Sequence, residues 1–461
     1  MVPEADRVRV TLLRGAVEDE LPKLAEDAFD ACLCDPPYGL EFMGKEWDAP
    51  WKHGMAAHGF RDGSHQREAP VYGSKRNPCC RACKKHRRGT NRCECASPDW
   101  DETPASNNAR LQEWFEMWAR LVLPVLRPGA PLLAFGGTRT FHRLTCGIED
   151  AGFEIRDVLT WLHGQGFPKS LDVSKAIDHA LGAERPRDVV PVKRSTLHGE
   201  RPWMDDPNHR FESATPASAP ASAPASAFNG YGTALKPAWE PCVLAMRPLD
   251  GTFAANALRH GVAGLNVDGA RIGAESLPAV VRGVSRVGTF EGADGNVTAE
   301  RIGRWPANVL LDEDAAAALD AQTGERPSSG GAAFPERRVF AHGPRESGAE
   351  IGFGDSGGAS RFFYTAKADR SDRGAGNRHP TVKPTDLCAY LARLILPPVR
   401  ADGQPRRLLV PFSGSGSEIL GALAAGWDEV VGIEREAEYV ATAERRMRER
   451  FGLLVEIARA A

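Results

Sequence analysis

A strand, a glycine-rich turn and a helix follow one another near the C-terminus, and this succession constrains the fold more than any other feature. Arg406 to Phe412 is a predicted strand, Ser413 to Ser417 form the turn, and the helix extends to Ala425. A second predicted strand begins at Glu429 and closes at Glu434. Strands and helices that alternate in this way form a parallel sheet with helices on its faces.

The N-terminal third of the chain shows the same alternation. Predicted strands there are Val8 to Leu13, Asp30 to Cys34, Pro131 to Phe135 and Glu154 to Leu162, and predicted helices are Val17 to Asp27, Leu111 to Leu126 and Phe141 to Ala151. Two more helices are predicted near the C-terminus, Pro384 to Leu396 and Glu436 to Phe451. We therefore expect an α/β fold with one doubly wound mixed sheet, Rossmann-like and assembled from both chain ends. Trp114 and Trp118 recur at helical spacing and are predicted core residues.

The middle of the chain has little periodicity. Residues 47–101 show no clear pattern, and residues 164–361 are rich in Gly, Pro and Arg, with Trp239 to Arg247 as the best strand. Residues 214–227 repeat Pro-Ala-Ser-Ala, a composition typical of flexible linkers. These features predict three regions, 1–163, 164–361 and 362–461, with an insertion at about 47–101 in the first.

Composition excludes several classes of protein. The content of 42% hydrophobic and 26% charged residues is ordinary for a globular protein and excludes a mostly disordered chain. No apolar run approaches the roughly 20 residues that cross a bilayer, and Met1 to Arg7 lack an apolar signal core. We therefore expect a cytoplasmic protein without a membrane partner. The net charge of -3 means that a nucleic-acid partner would need a local basic patch.

The glycine turn predicts a binding site. Glycines between a strand and a helix let a ligand approach the backbone, and the helix N-terminus offers free N–H groups to an anion. An acidic side chain at the end of the next strand can accept hydrogen bonds from two ribose hydroxyls. This set, an adenosine-type cofactor site, comprises Phe412, Ser413, Gly414, Gly416 and Glu434. A dinucleotide site looks similar, and a glycine turn without a ligand is also open.

A second motif, Asp35-Pro36-Pro37-Tyr38, follows the predicted strand that ends at Cys34. Parallel sheets bind ligands at such strand ends. The two prolines stiffen the loop and leave its carbonyl oxygens free as acceptors. The Asp35 carboxylate and the loop carbonyl oxygens would accept from the poorly nucleophilic amine of a nucleobase and orient it. The aromatic ring of Tyr38 would contact and hold an extruded base. A proline-rich turn with a structural aspartate is the alternative.

Together the two motifs resemble the amino-methyltransferases that move a methyl group from S-adenosylmethionine to an exocyclic base amine in DNA. That family carries an Asp/Asn/Ser-Pro-Pro-Tyr/Phe loop and a Phe-x-Gly-x-Gly loop. Arg378 to Pro384 is similar to its His-Pro-Thr-x-Lys-Pro segment, which implies that Thr381 and Lys383 help to hold the methionine part of the cofactor. Further similar stretches are Leu126 to Gly129, Phe363 to Ala368 and, in prophage-type members, Trp161 to Ser170.

The resemblance implies a role for each of the three regions. The loop near residue 35 precedes the glycine loop near residue 414, the permuted order of the beta class. Residues 1–163 would be the catalytic half, 164–361 an irregular target-recognition region, and 362–461 the cofactor-binding half.

Two departures from the family's pattern affect the cofactor site. Ala16 stands where the family has an adenine-contacting Asp, a contact that would move to Glu18 or Asp19, and Val410 replaces another common Asp.

The resemblance implies methylation of double-stranded DNA, with a restriction nuclease as a candidate partner. Asp35 favours adenine, since cytosine-amine enzymes of this family more often carry Ser in that position. Methylation of cytosine N4 stays open. An RNA or protein methyltransferase and a DNA-binding relic without activity are the remaining alternatives.

Five cysteines cluster between Cys79 and Cys95. Cys80, Cys83, Cys93 and Cys95 have knuckle-like spacing for structural zinc, with Cys79 or His86 as substitutes. Incidental cysteines are the alternative. The same segment is basic and suits phosphate contacts, unless it is simply a solvated loop. Its basic residues are Lys75, Arg76, Arg81, Lys84, Lys85, Arg87, Arg88 and Arg92.

Overall fold

We describe the fold from a computed structural model. The structure describes residues 8–39, 79–80, 82–83, 93–97, 100–101, 104–164, 166, 170–185, 187–191, 212–216, 219–277, 280–281, 297–298, 301–327, 355–367, 370–374, 376–379, 381–400, 402–452 and 455–460. These residues form two compact units, one of 1–164 with 239–461 and one of 165–238. No helix in the described part is long and apolar enough to cross a membrane.

The larger unit is built on a sheet of ten strands. In chain order they are β1 (Val8–Arg14), β2 (Ala31–Cys34), β3 (Pro131–Phe135), β4 (Glu154–Leu162), β5 (Trp239–Met246), β6 (Val309–Asp312), β7 (Tyr364–Ala366), β8 (Arg407–Pro411), β9 (Glu429–Glu434) and β10 (Val455–Ala460). Their order across the sheet is β7-β6-β4-β5-β3-β2-β8-β9-β1-β10. Only β5 is antiparallel to its neighbours.

Helices connect these strands, and their bounds follow the chain order. They are α1 (Val17–Glu20), α2 (Pro104–Val122), α3 (Phe141–Asp150), α4 (Val173–Ala180), α5 (Ala223–Ala227), α6 (Phe253–His260), α7 (Glu313–Thr323), α8 (Thr385–Leu394), α9 (Ser417–Ala425) and α10 (Ala437–Phe451). Five two-stranded ribbons complete the description: Cys79–Cys80 with Trp100–Asp101, Arg187–Pro191 with Glu212–Pro216, Ile272–Leu277 with Arg301–Arg304, Val280–Val281 with Val297–Thr298, and Arg326–Pro327 with Ser356–Gly357.

Two hydrophobic layers cover the sheet. On one face Leu408 and Val410 of β8 join the apolar residues of α8, α9 and α10. On the other face Leu409 joins Trp114 and Trp118 of α2 and the apolar residues of α3. Successive side chains of a strand point to opposite faces, so β8 is buried on both sides. The predicted doubly wound mixed sheet, assembled from both chain ends, is confirmed, and both tryptophans lie in the core.

The direction of the connections reverses at β8. Along the chain β8 leads to β9 on one side, whereas β2 on its other side leads to β3. Leu408 pairs with Ala31 and Leu409 with Cys32, so that the carboxyl ends of β2 and β8 lie side by side. In open α/β sheets this reversal leaves a crevice outside the strand ends, where ligands bind.

Some predicted elements have different bounds. The helix predicted from Val17 to Asp27 ends at Glu20 and continues as one 3-10 turn, Leu21–Lys23, because Pro22 cannot donate the next helical hydrogen bond. The region predicted as irregular contributes β6, α6 and α7 to the large unit, in addition to the predicted strand β5. β6 has only four residues, too few to show a period in the sequence.

The smaller unit contains part of the repeat that was predicted as a flexible linker. Residues 223–227 form α5, and Ser222 caps this helix by accepting from the Ala225 N–H at 3.2 Å. Buried Asp178 of α4 accepts from the Ser222 hydroxyl at 2.6 Å and from Arg185 Nε at 2.6 Å. A serine cap and this ion pair therefore order a stretch whose composition alone predicts flexibility.

Candidate functional site

Both predicted motifs line one cavity at the carboxyl edge of the sheet. All four residues from Asp35 to Tyr38 reach it from the end of β2. Phe412, Ser413 and Gly414 reach it from the end of β8, and Glu434 reaches it from the end of β9. Thr381 and Lys383, which precede α8, complete the set of predicted residues in the cavity. The structure thus brings together residues that are up to about 400 positions apart in sequence.

The glycine loop turns tightly between β8 and α9. Gly414 and Gly416 have φ angles of +49° and +86°, which L side chains rarely adopt. A Cβ atom on Gly414 would lie 3.0 Å from Nε2 of His379. Gly416 does not line the cavity, and a Cβ atom there would lie 2.9 Å from Cβ of Ala443 in α10. Gly414 therefore leaves room beside His379, whereas Gly416 permits close packing of the loop on α10.

Phe412 also has a positive φ, +58°, although it is not a glycine. Its ring packs against Trp114 and Trp118, with both centroid distances 5.6 Å. Arg446 of α10 holds the loop from the other side, because its Nη1 donates to the Ser415 carbonyl oxygen at 2.5 Å. The packing and this buried arginine hold the loop in a strained conformation, a feature common at functional sites.

Glu434 faces the loop with a carboxylate that is already partly engaged. Its Oε2 accepts from the Gly414 N–H and its Oε1 from the Glu436 N–H, both at 2.8 Å. Burial raises the pKa of Glu434, and the two backbone donors act in the opposite direction. Each carboxylate oxygen has a further lone pair, so Glu434 can still accept hydrogen bonds from a ligand.

Asp35 is fixed by a buried lysine. Lys383 Nζ donates to Asp35 Oδ2 at 2.8 Å and to the Tyr38 hydroxyl at 2.9 Å. The same Nζ lies 3.1 Å from Glu240 Oε2, and the Tyr38 hydroxyl donates to that oxygen at 3.2 Å. The other oxygen of Asp35, Oδ1, is buried without a hydrogen-bond partner. An unpaired acceptor of this kind is costly in a folded protein unless a ligand satisfies it.

Lys383 and Tyr38 both have pKa values above their ordinary ones. Burial disfavours the charged form of Lys383, but Asp35 and Glu240 outweigh burial and raise its pKa well above the ordinary value. Burial, together with Asp35 and Glu240, raises the pKa of Tyr38 well above its ordinary value as well. At neutral pH the lysine is therefore a cation and the tyrosine a neutral hydroxyl. The lysine was predicted on the cofactor side, and its contacts place it on the motif of Asp35.

Glu240, Glu418 and Trp114 also line the cavity, although none of them was predicted as a site residue. Glu240 is the second residue of the antiparallel strand β5, in a region with little periodicity. Glu418 lies in the first turn of α9, is 4% exposed and lines the cavity; burial and nearby Asp35 raise its pKa to about 7. Trp114 was predicted only as core, and it also reaches the cavity. An acid two residues after Gly416 is a signal that could have identified Glu418.

Ala16 stands where the family has an adenine-contacting aspartate, and Glu18 or Asp19, just after β1, is predicted to make that contact instead. Ala16, Val17 and Glu18 line the cavity, whereas Asp19 is not among its lining residues. Between the two candidates, Glu18 is therefore the one beside the cavity. The contact between Glu18 and the adenine of a cofactor stays a prediction.

The cysteines predicted to bind metal are also brought together. The Sγ atoms of Cys80, Cys83, Cys93 and Cys95 all lie within 4.8 Å of one another. His86 and all eight predicted phosphate-contacting residues from Lys75 to Arg92 lie outside the described residues. Their predicted contacts stay predictions.

One curated relative matches part of the sequence. Over 142 residues the chain is 25% identical to the type II methyltransferase M.HindIII of Haemophilus influenzae. The chain resembles a type II methyltransferase. The match covers 31% of this chain and 39% of the relative, so the chain spans well under half of that relative's length. No family model matches the sequence.

Three solved structures are similar at low identity. The M1.HpyAVI–SAM complex is 11% identical, with 95% of this chain and 99% of that chain covered and a TM-score of 0.33. A putative DNA modification methylase of Thermus thermophilus, complexed with S-adenosyl-L-methionine, is 11% identical, with 98% of this chain and 99% of that chain covered and a TM-score of 0.36. The cytosine-N4-specific PvuII DNA methyltransferase is 10% identical, with 95% of this chain and 88% of that chain covered and a TM-score of 0.38. At these scores the fold rests on the strand order described above.

Proposed function

We propose that the protein is an S-adenosylmethionine-dependent DNA methyltransferase of the permuted, beta-class order that acts on the exocyclic amine of adenine. One observation carries the proposal. Asp35, anchored by Lys383 through Oδ2, offers a buried and unpartnered Oδ1 in the same cavity as the glycine loop. A bound amine would supply the missing donor to this oxygen.

The residues of the cavity fit S-adenosylmethionine. Gly414 leaves space for a ligand beside His379, and the Ser413 hydroxyl is buried without a hydrogen-bond partner. Glu434 would accept from the ribose hydroxyls, as sugar-binding acids at strand ends do. Thr381 would contact the methionine part, and Glu18 stands beside the cavity where the adenine contact is expected. When bound, the cofactor supplies an electrophilic methyl group.

The chain's own residues would orient the base amine. Its lone pair is delocalised into the ring, so attack requires a geometry in which the nitrogen becomes pyramidal. Asp35 Oδ1 and a carbonyl oxygen of the Pro36-Pro37 loop would accept its two hydrogens and favour that geometry. In this geometry the nitrogen would be aligned to accept the methyl group that bound S-adenosylmethionine supplies, and the amine would then lose one proton to an acceptor. Tyr38 would hold the base, which must leave the helix to enter the cavity.

Glu418 is proposed to take over the role of the aspartate that Val410 replaces. Glu418 is a buried acid of α9, the helix that follows the glycine loop, and it lines the cavity. It can therefore pair with the ammonium group in the methionine part of the cofactor. Because its pKa is about 7, its carboxylate forms as the pH rises through neutrality. Cofactor affinity should rise in the same direction, since the ligand's ammonium prefers the charged acid.

This role of Glu418 predicts a measurable change. In Glu418→Gln the affinity for S-adenosylmethionine at about pH 7.5 should fall roughly tenfold, the worth of a charge-assisted hydrogen bond. The increase in affinity between about pH 6 and 7 should disappear. In this range the ligand's own amine, with an ordinary pKa of about 7.7–8, stays mostly protonated. Calorimetry measures both. Glu313→Gln, an exposed acid in the first turn of α7, is the matched control and should bind normally. A Gln variant that keeps the affinity and its pH dependence would remove Glu418 from the site.

The favoured base is tested directly by its product. We expect DNA incubated with the protein and methyl-labelled S-adenosylmethionine to contain N6-methyladenine when its nucleosides are separated by mass spectrometry. Asp35→Ala is the negative control. N4-methylcytosine in place of methyladenine would overturn the choice of base, and label in RNA or protein but not in DNA would overturn the substrate. Sequencing of the methylated DNA gives the recognition site.

DNA binding is proposed to use the basic residues of the insertion. Lys84, Lys85, Arg87 and Arg88 belong to a stretch without acidic residues, and such clusters contact phosphates and make affinity depend on salt. Residues 164–361 are proposed to contribute target recognition. A restriction nuclease that cuts the unmethylated site is the partner that this activity would require in a restriction–modification system.

A further inference from the structure

Four thiols in the insertion between β2 and α2 form a compact group. The Sγ atoms of Cys83 and Cys93 are 3.3 Å apart, those of Cys80 and Cys95 are 4.0 Å apart, and all four lie within 4.8 Å of one another. We propose that they bind one structural zinc ion as a tetrathiolate site.

The distances fit a single tetrahedral ion. Zinc–sulfur bonds of about 2.3 Å place the corners of a regular tetrahedron about 3.8 Å apart, within the range observed here. A disulfide would require sulfurs about 2.05 Å apart, and none of the four cysteines forms one. An iron–sulfur cluster would bind its four thiolates to more than one iron and spread them further.

The local backbone also suits a metal site. Cys80 pairs with Trp100 in a two-stranded ribbon, and Cys83 follows in the turn after the first strand. The second pair is tight, with one residue between Cys93 and Cys95, and the Cys95 N–H points to Cys93 Sγ at 3.5 Å. A backbone N–H directed at a ligating sulfur stabilises the thiolate form. Two chain segments thus supply two sulfurs each.

The ligand set indicates a structural role for the ion. Its four members are all cysteines, so a bound zinc ion would have no open position for water or substrate. The ion would instead join residues 80–83 to residues 93–95 and order the insertion that follows the Asp35 motif in sequence. Metal sites of this type contribute directly to folding, because the unfolded chain holds no such arrangement.

Elemental analysis of the full-length chain, purified without chelator, tests the site. We expect about one zinc per chain, and below about 0.2 in Cys80→Ser and Cys93→Ser. Cys146→Ser changes an exposed cysteine outside the group and should retain the metal. Below about 0.2 zinc in the unaltered chain, with all four thiols reacting freely, would overturn the proposal, as would stoichiometric iron in place of zinc.

A second variant covers the case in which the serine variants do not fold. Cys95→His keeps a residue type that binds zinc and should retain the ion. Replacement of zinc by cobalt in the unaltered chain should give the strong visible absorption of a tetrahedral thiolate complex, weakened in Cys95→His. Absence of that absorption would contradict a tetrathiolate site. The affinity for S-adenosylmethionine, measured in the same samples, reports separately on the proposed methyltransferase.

Discussion

Replacing Asp35 with alanine should lower the rate of methyl transfer by about 10²- to 10³-fold, the effect of removing one preorganised hydrogen-bonding group from a reacting centre. Binding of S-adenosylmethionine should stay within a factor of about two, because the glycine loop and Glu434 do not depend on Asp35. The fold should survive. Lys383 keeps Glu240 at 3.1 Å and the Tyr38 hydroxyl at 2.9 Å as partners, so its charge is not left alone. Single-turnover rates and calorimetry measure the two quantities.

The matched variants locate the effect at the carboxylate. Asp35→Asn keeps one acceptor oxygen and should fall between the alanine variant and the unaltered protein. Asp268→Asn changes an aspartate whose side chain is 87% exposed and should have normal activity. Tyr38→Ala should instead weaken capture of the extruded base, where stacking contributes about 1–3 kcal/mol per base. Near-normal turnover of Asp35→Ala would show that this loop is not the catalytic one.

The strands that carry the motifs could be predicted closely. Ala31–Cys34 and Arg407–Pro411 lie within one residue of the predicted bounds, because buried strands of a doubly wound sheet are short apolar runs with turn residues at their ends. The convergence of the Asp35 and Gly414 loops follows from the same rule, since parallel strands end at one edge of the sheet. The sequence therefore predicted which loops meet.

The partners of the side chains could not be predicted in this way. Lys383 and Asp35 are 348 positions apart, and Glu240 and Tyr38 are 202 apart. Periodicity locates an element and its buried face, but it does not show which rotamer points to which loop. Glu240 was the hardest to find, because the antiparallel direction of β5 brings its first residues to the edge where the other strands end.

Gly414 is the residue at which cofactor binding should be most sensitive. Gly414→Leu places a side chain where the ligand is proposed to lie, and its Cβ alone would come within 3.0 Å of His379. We expect the affinity for S-adenosylmethionine to fall at least about 100-fold, equal to about 2.8 kcal/mol. Calorimetry on the purified variant measures the loss, and circular dichroism shows whether the fold is intact.

Backbone strain must be separated from occlusion of the cavity, because Gly414 has a φ of +49° that leucine does not favour. Gly426→Leu is the control. Gly426 caps α9 with a φ of +96°, and a Cβ atom there would have nothing within 4 Å, so this variant has backbone strain without entering the cavity. It should lose stability yet bind the cofactor normally. Unchanged affinity in Gly414→Leu would exclude this site, and binding of a nicotinamide dinucleotide in preference to S-adenosylmethionine would favour the dinucleotide alternative that the glycine turn leaves open.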